Sequence, residues 1–169
     1  MQVYLDYLKY VLDNGIRTKN RTGVSTIATS GYMLVHDMKD GFPLLTTKKM
    51  GLKSIAAELE MFINGITDKR FLQERNCRIW NEWCNRKKVP YANAEETKAK
   101  MDAENDLGKI YGYQWRKFND NSETGDQLKN VLNTIKTDPT SRRLIISAWN
   151  PNQLHEMALP PCVIGYEFL

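Results

Sequence analysis

The chain has 169 residues, 41% of them apolar and 26% charged, and its 24 basic and 20 acidic groups leave a formal net charge of +4. This length and apolar content favour a folded domain and exclude a disordered chain. No apolar stretch reaches the roughly 20 residues that cross a bilayer, and the basic residues form scattered doublets. We therefore expect neither a membrane nor a nucleic-acid partner.

The cysteines bear on the cellular compartment. There are three of them, Cys77, Cys84 and Cys162, and no two form a C-x-x-C pair. An odd number without paired spacing argues against a disulfide framework and against a zinc site. We expect a cytoplasmic protein without a metal.

The N-terminal part of the sequence predicts a helix and then two strands. Apolar residues recur at helical spacing over 2–14, and Gly15 follows where a helix commonly ends. Alternating patterns at 24–29 and 32–35 predict paired strands. A loop over 41–49 leads to the next helix.

That second helix is predicted over 53–64. Its apolar face consists of Ile55, Leu59, Phe62 and Ile63. Glu58 falls at the margin of this face, whereas Glu60 points away from it. A partly desolvated carboxylate suits proton transfer, although a boundary residue that reaches water is the more frequent case.

The C-terminal part is also mixed. A polar surface insertion spans 84–105, with an exposed helix at 94–105. A third amphipathic helix is predicted over 126–136, and strands at 144–149 and 163–169. Helices and strands thus combine in one α/β (α+β) domain over residues 1–169. Because the last residues lie inside a predicted strand, we expect this domain to be truncated at its C-terminal side.

Several side chains are candidates for chemistry. Cys162 follows Pro160-Pro161, which restrict the backbone before the thiol and suit a nucleophile, although a cysteine is more often a small buried hydrophobe. Arginine guanidinium groups can bind a phosphate, although arginines are more often ordinary surface residues. Tryptophan indoles can stack on a planar heterocycle, although tryptophans are more often core residues. The arginines are Arg21, Arg142 and Arg143, and the tryptophans are Trp80 and Trp83.

Seven motifs in order resemble the thymidylate synthase family. They are Arg21-Thr22-Gly23, Gly41-Phe42-Pro43-Leu44-Leu45-Thr46-Thr47-Lys48-Lys49, Ile79-Trp80-Asn81-Glu82-Trp83, Tyr111-Gly112-Tyr113-Gln114-Trp115-Arg116, Ser141-Arg142-Arg143, Ser147-Ala148-Trp149-Asn150-Pro151 and Met157-Ala158-Leu159-Pro160-Pro161-Cys162. The resemblance runs from the first helix to the last residue and is interrupted chiefly at 84–105. It implies the fold of that family, a mixed sheet flanked by helices, with the C-terminal part absent.

The resemblance also implies an activity. The family makes dTMP from dUMP by reductive methylation, and 5,10-methylenetetrahydrofolate gives both the carbon and the hydride. By this resemblance Cys162 is the thiolate that attacks the pyrimidine C6, and Glu58 relays protons to O4 and C5. Arg21 binds the nucleotide phosphate, and Arg142 and Arg143 reach the phosphate bound by the partner subunit of a homodimer.

The remaining roles concern the folate and the nucleophile. The resemblance places Trp80 against the folate with Trp83 nearby, Lys48 at the folate's glutamate tail, and Tyr111 near Cys162. In the family, segments after the cysteine complete the site. We therefore expect the 169-residue chain alone to be inactive.

Two departures leave alternatives open. Val163 stands where the family usually has a histidine, and Glu60-Met61 stands where it usually has an apolar residue and a tryptophan. These departures suit a pyrimidine hydroxymethylase of the same fold, in which water quenches the adduct. A truncated homologue that only dimerises or binds nucleotide is a further alternative.

Overall fold

The computed structural model describes residues 2–20, 23–90 and 95–169. The chain divides into two compact units, Met1–Met50 and Gly51–Leu169. Among the described residues, no helix is both long enough and apolar enough to span a bilayer.

The described residues of the first unit form one α-helix, one strand pair and a short 3-10 helix at Met38–Asp40. Helix α1 covers Gln2–Asn14, as predicted, and ends where the Gly15 N–H donates to the Val11 carbonyl at 2.9 Å. Strand β1 (Ile16–Thr18) pairs antiparallel with strand β2 (Thr26–Ala28).

The predicted strand at 32–35 is wrong. This segment is irregular, and the partner of β2 is β1. The Tyr32 ring packs against the rings of Tyr7 and Tyr10 on α1, with centroids 5.1 and 4.9 Å apart. Tyr32 is therefore held by ring contacts with α1 and not by a strand ladder.

The second unit carries five helices and a hairpin among its described residues. They are α2 (Leu52–Ile63), α3 (Arg70–Gln73), α4 (Glu95–Ala103), α5 (Tyr111–Lys117), α6 (Gln127–Thr137), β3 (Ile145–Ser147) and β4 (Gly165–Glu167). Short 3-10 helices cover Phe118–Asp120 and Pro151–Glu156. The helices predicted over 53–64, 94–105 and 126–136 are confirmed, whereas α3 and α5 were not predicted.

Strands β3 and β4 pair antiparallel, with Ile146 opposite Tyr166 and Ser147 opposite Gly165. Both lie inside the predicted strands at 144–149 and 163–169. Helices and strands are mixed, which confirms the predicted α/β class. In place of a mixed sheet, however, the strands of the described residues form two antiparallel two-stranded ladders.

The core of the second unit lies between α2, α5, α6 and β3. Its largest fully buried apolar side chains are Met61, Leu72, Leu107, Ile110 and Met157. On α2 the buried residues are Ala57, Met61 and Phe62, whereas three members of the predicted face are exposed, namely Ile55, Leu59 and Ile63. The predicted face is therefore wrong except at Phe62, because α2 turns the side that carries Met61 and Phe62 toward α3 and α5.

Buried polar groups tie α5 to the segment after β3. Gln114 Nε2 donates to Gln153 Oε1 at 2.9 Å, and Asn150 Nδ2 donates to Gln114 Oε1 at 3.1 Å. Arg116 binds both carboxylate oxygens of Asp126 at 2.9 Å, and Asp126 also accepts from the Lys129 N–H at the start of α6. Such satisfied networks fix one arrangement of the elements that they join.

The predicted insertion at 84–105 begins with two buried residues, Cys84 and Asn85. Helix α4 follows, and it has no buried residue within its described span. That this segment is a surface insertion into one domain stays a prediction.

Gly112 is required by the packing of α5 on α2. A Cβ there would lie 2.4 Å from the Phe62 carbonyl oxygen and 2.5 Å from its Cα. We expect Gly112→Ala to lower the free energy of unfolding by about 1–3 kcal/mol, the usual range for overpacking. Chemical denaturation measures this loss.

Gly51→Ala is the matched control in the same unit, because the added Cβ meets only the Ser54 side chain at ordinary contact distances of 3.7 and 3.8 Å. This change, at the start of α2, should cost less than about 1 kcal/mol. Equal losses in both variants would contradict the steric argument.

Candidate active site

Cys162 lies exposed on an anchored segment. The Ala158 N–H donates to the Leu107 carbonyl at 2.8 Å, and Met157, Ala158 and Pro161 are buried. The Cys162 N–H donates to the Tyr111 hydroxyl oxygen at 2.8 Å. The backbone is therefore held on both sides of the two prolines, and the thiol remains accessible to a ligand.

Tyr111, the first residue of α5, links Cys162 to an aromatic group. Its ring stacks on Phe62, with centroids 4.9 Å apart and an interplanar angle of 22°. The Trp80 ring meets Tyr111 edge-on at 6.4 Å and Phe62 edge-on at 6.3 Å. Edge-on and offset contacts of this kind fix the relative orientation of the rings.

Glu58 joins this group from α2. It is half-buried, and its Oε1 accepts a 2.6 Å hydrogen bond from the Trp80 indole N–H. Glu58 precedes Phe62 by four residues, so both side chains lie on one side of the helix. Glu60 differs as expected, because it is exposed and pairs with Arg75 at 3.3 Å.

The surroundings of Tyr111 change its acidity. The pKa of Tyr111 is raised to about 12, chiefly by burial and also by the nearby Cys162 and Glu58 groups. The N–H donated by Cys162 opposes these effects. The hydroxyl therefore stays protonated at neutral pH, and its oxygen accepts the backbone N–H.

The predicted folate residues differ in exposure. Trp80 is 6% exposed, so most of its ring is enclosed by the core. Trp83 is half-buried against the same core. Lys48 is exposed and belongs to the first unit.

Two of the three arginines predicted to bind phosphate lie in a surface turn. Arg142 and Arg143 are both exposed and form a turn that ends before β3 begins at Ile145. They therefore do not alternate between two sheet faces, as residues within a strand would. Arg21 lies outside the described residues.

One member of the site was not predicted from the sequence. Phe62 was identified only as part of an apolar face, yet it is the ring on which Tyr111 stacks. Its spacing of four residues from Glu58 was the available signal. In the described part of the chain, no group of three or more His, Cys, Asp or Glu side chains is placed to hold a metal ion.

One comparison identifies the class of protein. The profile of the thymidylate synthase family matches residues 2–169. Because the match covers nearly the whole chain, this protein belongs to the thymidylate synthase family, a family of methyltransferases that use methylenetetrahydrofolate.

Tyr111 should affect stability at high pH. Below pH 10 the hydroxyl is protonated in both folded and unfolded chains, so it adds no pH dependence. Between pH 10 and about 12 the unfolded chain loses this proton while the folded chain keeps it, so stability falls. Denaturation at several pH values should show a shallower fall for Tyr111→Phe than for the unmodified protein.

The phenolate absorbance provides a direct check. The difference between the titrations of the unmodified protein and of Tyr111→Phe should show one group with a midpoint near 12. A midpoint near 10 would mean that Tyr111 is not held in the environment described above.

Proposed function

We propose that this protein makes dTMP from dUMP by reductive methylation with 5,10-methylenetetrahydrofolate, and that Cys162 is the nucleophile. The observation that carries the proposal is the unbroken set of contacts from Glu58 through Trp80 and Phe62 to Tyr111 and Cys162. It connects an accessible thiol with a half-buried carboxylate in a chain of this family.

The thiolate of Cys162 would form a bond to C6 of the pyrimidine. The electron pair of the C5–C6 double bond then moves toward O4, and C5 becomes the nucleophile that accepts the one-carbon unit. At the end of the reaction the S–C6 bond breaks and the thiolate is regenerated. The Tyr111 hydroxyl supports these steps because it holds the Cys162 backbone while the thiol stays exposed.

Glu58 would move protons at O4 and C5. A general acid–base group must be held within reach of the reacting atoms, and the Trp80 indole fixes one oxygen of this carboxylate. Its partial burial keeps it beside the aromatic group and not in bulk water.

The phosphate of dUMP would be bound by Arg21 and, from the partner subunit of a homodimer, by Arg142 and Arg143. The exposure of Arg142 and Arg143 supports this role, since guanidinium groups on a surface turn are available to a second chain. A planar, always charged guanidinium suits bidentate binding of phosphate.

The folate would supply the one-carbon unit and the hydride. The residues present fit such a ligand, since Trp83 offers a half-buried aromatic surface and Trp80 offers the small exposed part of its ring beside Glu58. Lys48 is exposed and would attract the anionic glutamate tail.

We also propose a cytoplasmic location, because all three cysteines lie in the described part of the chain and none forms a disulfide.

The decisive assay follows tritium release from 5-tritiated dUMP together with the absorbance of dihydrofolate. Tritium release with dihydrofolate formation by the full gene product would establish the synthase. Cys162→Ala should lower both rates by at least about 1000-fold, because it removes the nucleophile. The same assay on residues 1–169 alone tests the expectation that this chain is inactive by itself.

The other outcomes separate the alternatives. Tritium release without dihydrofolate would indicate the hydroxymethylase. Val163, which follows Cys162 where the family usually has a histidine, is the residue that favours this alternative. No release by the full product would overturn the proposal and leave a homologue that only binds or dimerises.

Glu58 and Glu60 form a matched pair on α2. Glu58→Gln should lower kcat by about 100-fold to 10000-fold, since it removes a proton-transfer group but keeps an acceptor for the Trp80 N–H. Glu60→Gln removes only an exposed ion pair with Arg75 and should leave kcat nearly unchanged. Steady-state kinetics compares the two variants, and similar losses in both would contradict a catalytic role specific to Glu58.

A further inference from the structure

Lys69 is a buried lysine without an acidic side chain as its direct hydrogen-bond acceptor among the described residues. Only 1% of it is exposed. Its Nζ donates to the carbonyl oxygens of Asn81 at 3.0 Å, Trp83 at 3.3 Å and Met101 at 2.9 Å. An ammonium group has three N–H donors, so these carbonyls use all of them.

The three carbonyls belong to two separate parts of the chain. Asn81 and Trp83 belong to the tryptophan segment, residues 79–83, and Met101 lies in the last turn of α4. The carbonyls at the end of a helix carry its partial negative charge, which makes them good acceptors for a cation. One ammonium group therefore joins the tryptophan segment to α4.

The backbone around Lys69 limits where this ammonium group can lie. The Lys69 N–H donates to the Asn105 carbonyl at 2.9 Å, and the Leu107 N–H donates to the Thr67 carbonyl at 2.8 Å. Asp68 and Asp106 form an antiparallel bridge between these bonds. Residues 67–69 are thus fixed to the chain that follows α4.

The charge of Lys69 is desolvated. Burial lowers the pKa of this lysine, and the nearby Cys84, Asp102 and Glu104 groups oppose that effect. Hydrogen bonds to a charged donor are worth more than neutral ones, and a buried carbonyl that loses its donor is costly. Removal of the ammonium group would therefore release both segments together.

Helix α4 depends on such attachments, because it has no buried residue within its described span. Lys88 also binds near its end, with Nζ 3.5 Å from Glu104 and 3.0 Å from Asp106, but this lysine is exposed and does not reach the tryptophan segment. Lys69, in contrast, binds carbonyls of both the tryptophan segment and α4.

We propose that Lys69 is a positioning residue that couples α4 to the tryptophan segment and so sets the position of Trp80 against Glu58. The turn that contains Trp80 is closed by a hydrogen bond in which the Trp83 N–H donates to the Trp80 carbonyl at 3.1 Å. A shift of the Trp83 carbonyl is therefore passed to the 2.6 Å contact between Trp80 and Glu58. The effect on catalysis rests on the proposed function, whereas the coupling itself does not.

Hydrogen exchange tests the coupling without any assay of activity. Lys69→Met keeps the length of the side chain and removes the donors. We expect amide exchange to become at least about tenfold faster in residues 80–84 and in 95–104 at the same time. Lys88→Met, the matched control, should affect the end of α4 and leave 80–84 unchanged. Faster exchange in only one segment of folded Lys69→Met would overturn the proposal.

A second pair of variants tests the coupling by changing α4 and leaving Lys69 in place. It can be used even if Lys69→Met does not fold. Lys100 is exposed in the interior of α4, one residue before Met101, and Lys100→Pro breaks the helix there, whereas Lys100→Ala keeps it. We expect Lys100→Pro to speed exchange in 80–84 and to raise the KM for the folate about tenfold, with the KM for dUMP nearly unchanged. Lys100→Ala should change neither.

The two claims fail in different ways. Unchanged exchange in 80–84 after α4 has been broken would overturn the coupling, whatever the activity of the protein. Faster exchange with no tritium release by the full gene product would keep the coupling and overturn the proposed function.

Discussion

Helix α5 approaches α2 so closely at Gly112 that its backbone lies against the backbone of Phe62. This contact puts Tyr111, the residue before Gly112, onto the Phe62 ring. Glu58 lies one turn before Phe62 on the same side of α2, so the carboxylate arrives beside the same rings. The arrangement of the candidate site therefore depends on the absence of one side chain between two helices.

The segment that carries Cys162 is held by a second, polar constraint. Gln114 on α5 binds Asn150, just before the 3-10 helix Pro151–Glu156, and Gln153 within it. This short helix leads to Met157 and Cys162. Because these amides are buried and bind one another, a shift of α5 would leave unsatisfied groups in the core. The helix that supplies Tyr111 thus also fixes the approach of the chain to Cys162.

Much of this arrangement could be predicted from the sequence. Helical periodicity distinguished Glu58 from Glu60, and the turn and strand signals located β3 and β4. Periodicity failed on α2, because three large apolar residues, Ile55, Leu59 and Ile63, lie outside while Met61 and Phe62 are buried. The periodicity of apolar residues predicts which face of a helix could be buried. On α2, the close contact with α5 at Gly112 decides which face is buried.

Other failures have different physical causes. The segment at 32–35 alternates as a strand does, but the attraction between aromatic rings holds Tyr32 on α1. Nothing in the sequence predicted the buried position of Lys69, since lysine is almost never fully buried. Its partners are backbone carbonyls, which every residue possesses. Its three acceptors lie as far as 32 residues away along the chain, and only the fold brings them together.

The contrast among the cysteines has a practical consequence. Cys77 and Cys84 are buried, whereas Cys162 is exposed. A thiol-specific label applied briefly to the folded protein would therefore mark one position per chain. The same exposure makes this thiol the first to be lost to irreversible oxidation, so the fraction of chains that still take the label measures how many Cys162 thiols remain intact.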